Sequence, residues 1–320
     1  MMVEKGYTHS LITAVKNEMQ KAIINQDEIT TLALTAMLSS GHVLIEGVPG
    51  LAKTLWVRTL AKIINTDFKR VSFTPDLMPS DILGTKIFSQ KVSDFVMKKG
   101  PLFTNLFLAD EINRTPPKTQ SALLEVMAER AITIDGENNE LSEPFVVFAT
   151  QNPVEYEGTY PLPEALVDRF MMKLYMDYPG VAAEKTLLNM YHNGFDSQDL
   201  STTSVRTICT AEQFLRCREE IRNITVDESI LNYIVSIIET TRRVNAVSIG
   251  ASPRGSVALL LAAKSYAAIN GRDFCIPDDI KDLAPHILRH RIILKPEAEI
   301  DGLKTDKVIE NILAQVKVPR

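Results

Sequence analysis

The segment that most constrains the fold is residues 47–54, which read Gly-Val-Pro-Gly-Leu-Ala-Lys-Thr and follow the apolar run Val-Leu-Ile at 43–45. This order predicts a strand, a tight glycine-containing loop and a helix that opens at Lys53. Several backbone N–H groups would then converge at a helix N-terminus, where the helix dipole also favours an anion. The sequence therefore predicts a phosphate-binding loop.

The segment agrees with the phosphate-loop pattern G-x-x-x-x-G-K-[ST] at every position except Ala52, where the second glycine is expected. Alanine fits there if its backbone is close to helical angles, because Gly47 and the Pro49-Gly50 turn can supply the sharp bend. Lys53 is predicted to reach the β- and γ-phosphates, and Thr54 to hold Mg²⁺ through its hydroxyl. An ordinary strand-turn-helix is the alternative. The predicted nucleotide contacts are Gly47, Val48, Pro49, Gly50, Leu51, Ala52, Lys53 and Thr54.

A second apolar run, Leu-Phe-Leu-Ala at 106–109, leads directly into Asp110 and Glu111. Such a run is typical of a buried parallel strand, and ligands of parallel sheets bind beyond the carboxyl ends of the strands. Asp110 is predicted to hold Mg²⁺, and Glu111 to activate the water that attacks the γ-phosphate. The alternative is a solvated strand boundary.

Two more polar residues are placed by the pattern of strands. Asn152 follows the apolar run 145–150 and is expected beside Asp110, where its amide would orient the water without titrating. It could instead be a turn residue before a proline. Arg169 ends a short predicted helix. Its guanidinium, supplied by one subunit to the site of a neighbouring subunit, would bind phosphate oxygens. A local ion pair with Asp168 is the alternative.

Composition excludes several classes of protein. The chain has 320 residues, enough for one large or two moderate domains. No run approaches the roughly 20 apolar residues of a membrane span, and no apolar leader is recognised, so we expect a soluble cytoplasmic protein. The net charge of −5 gives no global attraction to nucleic acid. The three cysteines form no C-x-x-C pair, which argues against a disulfide framework or a zinc site.

The remaining patterns predict two hairpins and a helical second half. Residues 85–98 alternate around a polar Ser-Asp centre and predict an inserted hairpin, or alternatively an edge hairpin of the sheet; a second hairpin is predicted at 131–143. Prolines and glycines interrupt the strand-helix alternation between 151 and 180, and amphipathic helical patterns follow. We predict an α/β domain over residues 1–190 and a helical domain over 191–320.

Five segments in this order resemble the AAA+ ATPases, and the MoxR family in particular. The resemblance covers about residues 8–315, and alanine at position 52 is usual in that family. The segments are Gly-Val-Pro-Gly-Leu-Ala-Lys-Thr (47–54), Phe-Thr-Pro-Asp-Leu-Met-Pro-Ser-Asp (73–81), Leu-Ala-Asp-Glu-Ile-Asn-Arg (108–114), Ala-Thr-Gln-Asn-Pro (149–153) and Leu-Pro-Glu-Ala-x-x-Asp-Arg-Phe (162–170).

The resemblance implies a fold, two cofactors and a role for each matching residue. The fold is an α/β P-loop NTPase with a parallel five-stranded sheet between helices, followed by a mainly helical lid, and the cofactors are ATP and Mg²⁺. Lys53 and Thr54 match Walker A, Asp110 and Glu111 match Walker B, Asn152 matches sensor 1, and Arg169 matches the arginine finger.

Arg254, which opens a helical pattern, matches sensor 2, and the resemblance leaves open whether it acts on its own subunit or on a neighbour. The hairpins at 85–98 and 131–143 match the helix 2 and pre-sensor 1 inserts. Asn25 stands where relatives commonly carry glycine near the adenine pocket.

We therefore expect a Mg²⁺-dependent ATPase that assembles into a ring, a hexamer by resemblance, and remodels, assembles or activates a partner protein complex. A protein with a von Willebrand factor A domain is a candidate partner. One alternative is a nucleic-acid motor, because replicative helicases with the same inserts use such hairpins on DNA and four lysines cluster in the first insert; the acidic composition disfavours it. The other alternative, a nucleotide-gated scaffold without hydrolysis, is disfavoured by the Asp110-Glu111 pair.

Overall fold

The computed structural model describes residues 6–91, 93–152 and 158–319. Val92 of the first predicted hairpin and Pro153 of the fourth motif lie outside the described residues. Among the residues that are described, no helix is both long enough and apolar enough to cross a membrane.

The strands and helices occupy the following residues. The strands are β1 (His42–Glu46), β2 (Phe68–Ser72), β3 (Gly84–Ser89), β4 (Asp94–Lys99), β5 (Leu106–Asp110), β6 (Ala131–Ile134), β7 (Glu137–Glu140), β8 (Val146–Gln151), β9 (Phe170–Tyr175), β10 (Val247–Ile249) and β11 (Ile293–Leu294). The helices are α1 (Tyr7–Met19), α2 (Asp27–Leu38), α3 (Lys53–Ile64), α4 (Pro79–Leu83), α5 (Pro117–Glu129), α6 (Glu164–Val167), α7 (Val181–His192), α8 (Ala211–Arg222), α9 (Glu228–Thr241), α10 (Pro253–Ile269), α11 (Pro277–Leu288), α12 (Pro296–Ile300) and α13 (Thr305–Gln315).

Five parallel strands form the central sheet, in the order β2-β5-β8-β1-β9. The inner strands β1, β5 and β8 are the apolar runs of the sequence, and they are buried because helices cover both faces of a parallel sheet. The predicted five-stranded parallel sheet is confirmed, and β1, β5 and β8 lie within one or two residues of the apolar runs that predicted them.

The apolar core lies on both faces of this sheet. Val43 and Ile45 belong to the larger apolar cluster and Leu44 to the smaller one, because successive strand side chains point to opposite faces. The larger cluster includes residues of α1, α2 and α3, and it continues into α8 to α11 and α13. Residues 211–319, which we call the lid, therefore pack against the helices that cover one face of the sheet.

The two predicted hairpins are present and stand apart from the central sheet. β3 pairs only with β4, and β6 only with β7, each as a two-stranded antiparallel sheet within the described residues. The first hairpin is therefore an insertion, and the alternative of an edge hairpin is wrong. Lys86 Nζ lies 2.7 Å from Glu137 Oε1 and joins the two hairpins.

The mainly helical second half is also confirmed, because α8 to α13 lie in the part of the chain that carries the amphipathic patterns. The boundary predicted at residues 190/191 falls in the last turn of α7, and the division into two domains stays a prediction.

His42, the first residue of β1, is held as a neutral ring inside the protein. The Val147 N–H donates to His42 Nδ1 at 3.0 Å, so Nδ1 is an acceptor, and the proton on Nε2 faces the Met127 carbonyl at 3.3 Å. Burial lowers the pKa of His42 to about 4, and the positive charges of Arg130 and Arg169 act in the same direction. Protonation of Nδ1 would place its N–H against the Val147 N–H, so that two donors would face each other.

We expect the free energy of unfolding to fall as the pH drops from about 6.5 toward 4, because the unfolded chain binds a proton at His42 that the folded chain excludes. His42→Gln removes this contribution, so the stability advantage of the wild type over the variant should shrink by about 2–3 kcal/mol between pH 7 and pH 4. Urea unfolding across this range measures it. His192→Gln, at an exposed position, is the control; a constant difference for His42→Gln would contradict the assignment.

Candidate functional site

The loop between β1 and α3 has the backbone of a phosphate-binding turn. A Cβ on Gly47 would lie 2.5 Å from the Met176 carbonyl, so only glycine allows this approach, and Gly50 has a φ of 87°. Ala52 has φ 57° and ψ 27° and is left-handed. The expectation that Ala52 is near helical angles is therefore wrong: the turn into α3 requires the left-handed conformation for which most phosphate loops use glycine.

Lys53 is the first residue of α3, and its ammonium points back into the loop, where it donates to the Gly47 carbonyl. Burial lowers the pKa of Lys53, while Asp110, Glu111 and Glu46 favour the charged form. The half-buried Lys53 ammonium therefore interacts electrostatically with the carboxylates of Asp110 and Glu111.

Asp110 and Glu111 lie where the carboxyl ends of β5, β8 and β1 meet. Glu46 is in register with Gln151, and Ala109 with Ala149, so the loop after β1 and the end of β5 flank β8 on the same edge. The Thr150 hydroxyl donates to Asp110 Oδ1 at 2.7 Å and accepts from the Glu111 N–H at 2.8 Å. Thr150 thereby fixes the two acidic residues against the central strand.

Each of these carboxylates has an arginine partner that the sequence patterns did not reveal. Arg70 donates to Asp110 Oδ2 at 2.6 Å from Nη2, and Arg114 donates to Glu111 Oε2 at 2.8 Å from Nη1. Both arginine side chains are nearly half exposed, at 48% and 42%, so these pairs contribute little to stability. Arg70 reaches Asp110 through the register of β2 with β5, which no local motif encodes.

An apolar pocket lies beside the phosphate loop. Its walls come from the segment before α2, from the loop itself, from α3 and from α7. Asn25 lies between two residues of the lining, Ile24 and Gln26, and has φ 56°, a left-handed conformation that asparagine tolerates. The lining includes Ile23, Ile24, Gly50, Leu51, Ala52, Leu55, Trp56, Met176, Pro179, Ala183 and Leu187.

Asn152 directly follows β8 and is buried at 7% exposure, one strand away from Asp110. The structure thus brings together the loop residues 47–54, Asp110, Glu111 and Asn152 at one edge of the sheet. It does not bring Arg169 or Arg254 to that edge.

Arg169 and Arg254 lie together at the opposite, amino edge of the sheet. Arg169 immediately precedes β9, and Phe170 is in register with His42 at the start of β1. Arg254 Nη1 donates to Asp168 Oδ2 at 3.2 Å, so the first turn of α10 rests on the residue before Arg169. Asp168 therefore pairs with Arg254 and with Arg291, and the alternative of a local Asp168-Arg169 pair is not what the structure shows.

Comparison with known proteins agrees with this arrangement. Residues 42–172 match the ATPase family associated with various cellular activities (AAA), and residues 239–312 match the AAA lid domain. The Bacillus subtilis protein YeaC is 47% identical over 311 residues, which are 97% of this chain and 96% of that protein. Chaperone MoxR1 of Mycobacterium tuberculosis is 41% identical over 321 residues, or 98% of this chain and 83% of the relative. The chain belongs to the MoxR family of AAA+ ATPases.

A solved structure supports the same conclusion for the fold. The crystal structure of a candidate ATPase from Cytophaga hutchinsonii superimposes with a TM-score of 0.90 at 44% identity and covers 98% of this chain and 96% of the other. The MoxR fold of this chain thus has the predicted sheet and lid.

Four residues of the site were missed in the sequence: Arg70, Arg114, Thr150 and Arg291. Thr150 and Arg114 lie inside two of the five MoxR segments, close in sequence to residues that were assigned a role, and this proximity could have identified them. Arg70 and Arg291 act across strands or from the lid, and only the folded chain brings them to the site.

Substitutions at Ala52 test the left-handed turn. Ala52→Gly should leave the free energy of unfolding within about 1 kcal/mol of the wild type, because relief of strain offsets the added freedom of the unfolded chain. Ala52→Val should cost about 1–3 kcal/mol and weaken nucleotide binding, because a β-branched residue resists positive φ. Urea unfolding and titration with a fluorescent ATP analogue measure both.

The matched control is Ala182→Val, the same change at an exposed residue of α7, where only helix propensity is lost, about 0.5 kcal/mol. If Ala52→Val were as stable and as tightly binding as the wild type, a strained turn at this position would be ruled out.

Proposed function

We propose that this MoxR-family protein hydrolyses ATP with Mg²⁺ in a hexameric ring and uses the energy to remodel, assemble or activate a partner protein complex. One observation carries the proposal: the phosphate loop and the acidic pair lie at the carboxyl edge of the sheet, while both predicted catalytic arginines lie at the amino edge. Each subunit would therefore contribute the nucleotide-binding half of one active site and the arginine half of another.

The residues at the carboxyl edge suit a magnesium nucleotide. The donor set is a threonine hydroxyl, Thr54, and a carboxylate, Asp110, both oxygen ligands of the kind that Mg²⁺ prefers. Within the described residues there is no cluster of three His, Cys, Asp or Glu side chains that would form an all-protein metal cage. Mg²⁺ is commonly held by one or two protein ligands together with phosphate oxygens, and when bound it would neutralise charge on the transferred phosphoryl group.

Each side chain at this edge then has a distinct task. Lys53 and the loop N–H groups would bind the phosphates, and Asp110 would hold the metal. Glu111, held by its backbone N–H on Thr150, accepts a proton from the attacking water, for which its carboxylate must leave Arg114. Asn152 orients that water through its amide. The apolar pocket around Trp56 holds the base.

The two arginines are proposed to act on the nucleotide of a neighbouring subunit. The five residues of β1 separate the phosphate loop from the level of Arg169, a distance of about 16 Å along the strand. That is beyond the reach of an arginine side chain, so Arg169 serves a second copy of the chain. Arg254 rests on Asp168 beside it, and we infer that it acts in trans with Arg169.

The partner is proposed to be a protein rather than nucleic acid. The first hairpin exposes Phe88 and Phe95, which contact each other edge to edge with ring centroids 5.6 Å apart, and one of its lysines, Lys86, is paired with Glu137. Exposed aromatic rings can pack against a polypeptide, and the net charge of −5 disfavours nucleic acid. Von Willebrand factor A domain proteins are the first candidates by family resemblance. We place the ring in the cytoplasm, where the three free, buried cysteines would stay reduced.

Glu111→Gln should bind Mg-ATP with an affinity close to that of the wild type and lose on the order of 100-fold or more in kcat, because the amide cannot accept the proton. Phosphate release and titration with a fluorescent ATP analogue measure the two quantities. Glu125→Gln, the same change at an exposed residue of α5, should leave both unchanged. Wild-type turnover by Glu111→Gln would remove Glu111 from the chemistry.

Mixed assemblies test the shared site. Arg169→Ala subunits mixed with Glu111→Gln subunits should regain activity, because the Glu111→Gln neighbours supply intact arginines to sites with an intact Glu111. Arg254→Ala mixed with Glu111→Gln should also regain activity. The readout is phosphate release as a function of mixing ratio.

Arg169→Ala mixed with Arg254→Ala distinguishes the two modes of Arg254. If both arginines act in trans, every donor is defective and the mixture stays inactive. If Arg254 acts on its own subunit, some sites receive both arginines and activity returns, which would contradict the inference for Arg254 alone. No recovery in the Arg169→Ala and Glu111→Gln mixture would contradict the shared site itself.

A further inference from the structure

Arg291 is a buried cation of the lid that contacts the chain on both sides of Arg169. Its side chain is 3% exposed, and it lies in the segment between α11 and β11. One N–H donates to the Ile287 carbonyl within the lid. The remaining acceptors belong to the segment that carries Arg169: Asp168 Oδ1 (2.9 Å), the Asp168 carbonyl (3.3 Å), the Phe170 carbonyl (2.7 Å) and the Met171 carbonyl (3.1 Å).

These contacts need the guanidinium group. Arginine presents five N–H donors in a rigid planar fork, and a buried fork of this kind is stable only when fixed acceptors surround it. Lysine has a single ammonium with three donors and cannot span a carboxylate and several carbonyls at once. Arg291 therefore ties the backbone at residues 168, 170 and 171 to the lid at one point.

The same carboxylate also connects this point to Arg254. Asp168 Oδ1 faces the buried Arg291, while Oδ2 accepts from Arg254 Nη1 at 3.2 Å and from the Ser252 hydroxyl at 3.4 Å. Ser252 caps α10 by accepting from the Arg254 N–H at 3.2 Å. The Arg254 side chain is 55% exposed, so it can leave Oδ2 for another anion while Arg291 stays on Oδ1.

We propose that Arg291 is a positioning residue that sets the placement of Arg169 relative to Arg254, so that the two guanidinium groups reach one neighbouring nucleotide together. It acts through the Asp168 carboxylate and the carbonyls beside Arg169, and it touches no nucleotide itself. The inference rests on the proposed function, in which both arginines act in trans. It makes the lid part of the donor half of the site, with the buried guanidinium and the neighbouring His290 ring, which lies 2.9 Å from the Phe170 carbonyl, as the connections.

The test is Arg291→Lys, which keeps the charge and loses the fork. We expect kcat to fall by about 10- to 100-fold, because a displacement of about 1 Å in a catalytic group has an effect of this size. The affinity for a fluorescent ATP analogue should stay close to that of the wild type, because the nucleotide-binding edge of the same subunit is intact.

Arg272→Lys is the matched control. Arg272, whose side chain is 24% exposed, makes a bidentate pair inside the lid with Asp279 at 2% exposure, and it lies apart from the segment that carries Arg169. Arg272→Lys should lower the thermal unfolding temperature to an extent similar to Arg291→Lys and leave kcat unchanged. If kcat fell equally in both variants, the effect of Arg291 would be general loss of stability and the proposal would be overturned.

Mixing assigns the defect to one half of the site. Arg291→Lys subunits mixed with Glu111→Gln subunits should regain activity, because the latter supply correctly placed arginines. A folded Arg291→Lys protein with wild-type kcat, or a loss that mixing does not restore, would refute the positioning role. If instead Arg169→Ala fails to recover with Glu111→Gln, the shared site of the proposed function is at fault, and the two failures are thus distinguishable.

Asp168→Asn provides a second variant if Arg291→Lys does not fold. Asparagine keeps an oxygen for Arg291 and removes the charge that holds Arg254 and Arg291 together. The same pattern is expected: reduced kcat, unchanged nucleotide affinity and recovery on mixing with Glu111→Gln. Full activity of the folded Asp168→Asn protein would overturn the proposal.

Discussion

The parallel pairing of β1 with β9 is the constraint on which the rest of the site depends. Because His42 is in register with Phe170 and Glu46 with Tyr175, the chain that leaves β1 at one edge enters β9 at the other. The phosphate loop and Arg169 are thereby kept apart within one subunit. The proposal of a ring with shared active sites rests on this separation, and the proposed trans role of Arg254 rests in addition on its contact with Asp168.

Charge pairing around the site falls into two classes that differ in exposure. Arg70, Arg114 and Arg254 hold acidic residues of the site while being 48%, 42% and 55% exposed, and such pairs contribute only about 0–1 kcal/mol. They can exchange partners at low cost when phosphate, metal or a neighbour arrives. Arg291 is 3% exposed, and removing the Asp168 carboxylate would leave its buried charge without a counter-ion, at a cost of about 3–5 kcal/mol. The exposed pairs suit switching and the buried pair suits positioning.

Much of this arrangement was predictable from the sequence because it is local. The loop at 47–54, the acidic pair after β5 and Asn152 after β8 each lie at the end of an apolar strand, so one rule about parallel sheets placed them together. The conformation of Ala52 was not predictable from its side chain, since alanine disfavours positive φ and only the geometry of the turn imposes it. Arg254 and Arg291 lie 86 and 123 residues from Asp168, and no local pattern relates positions so far apart.

The most direct measurement is a cryo-electron microscopy structure of the Glu111→Gln protein assembled with Mg-ATP. The account predicts a closed ring in which each nucleotide contacts Lys53, Thr54 and Asp110 of one subunit, with Arg169 and Arg254 of the next subunit within hydrogen-bonding distance of its phosphates. A nucleotide bound entirely by one subunit, with Arg169 and Arg254 both turned away from every phosphate, would contradict it.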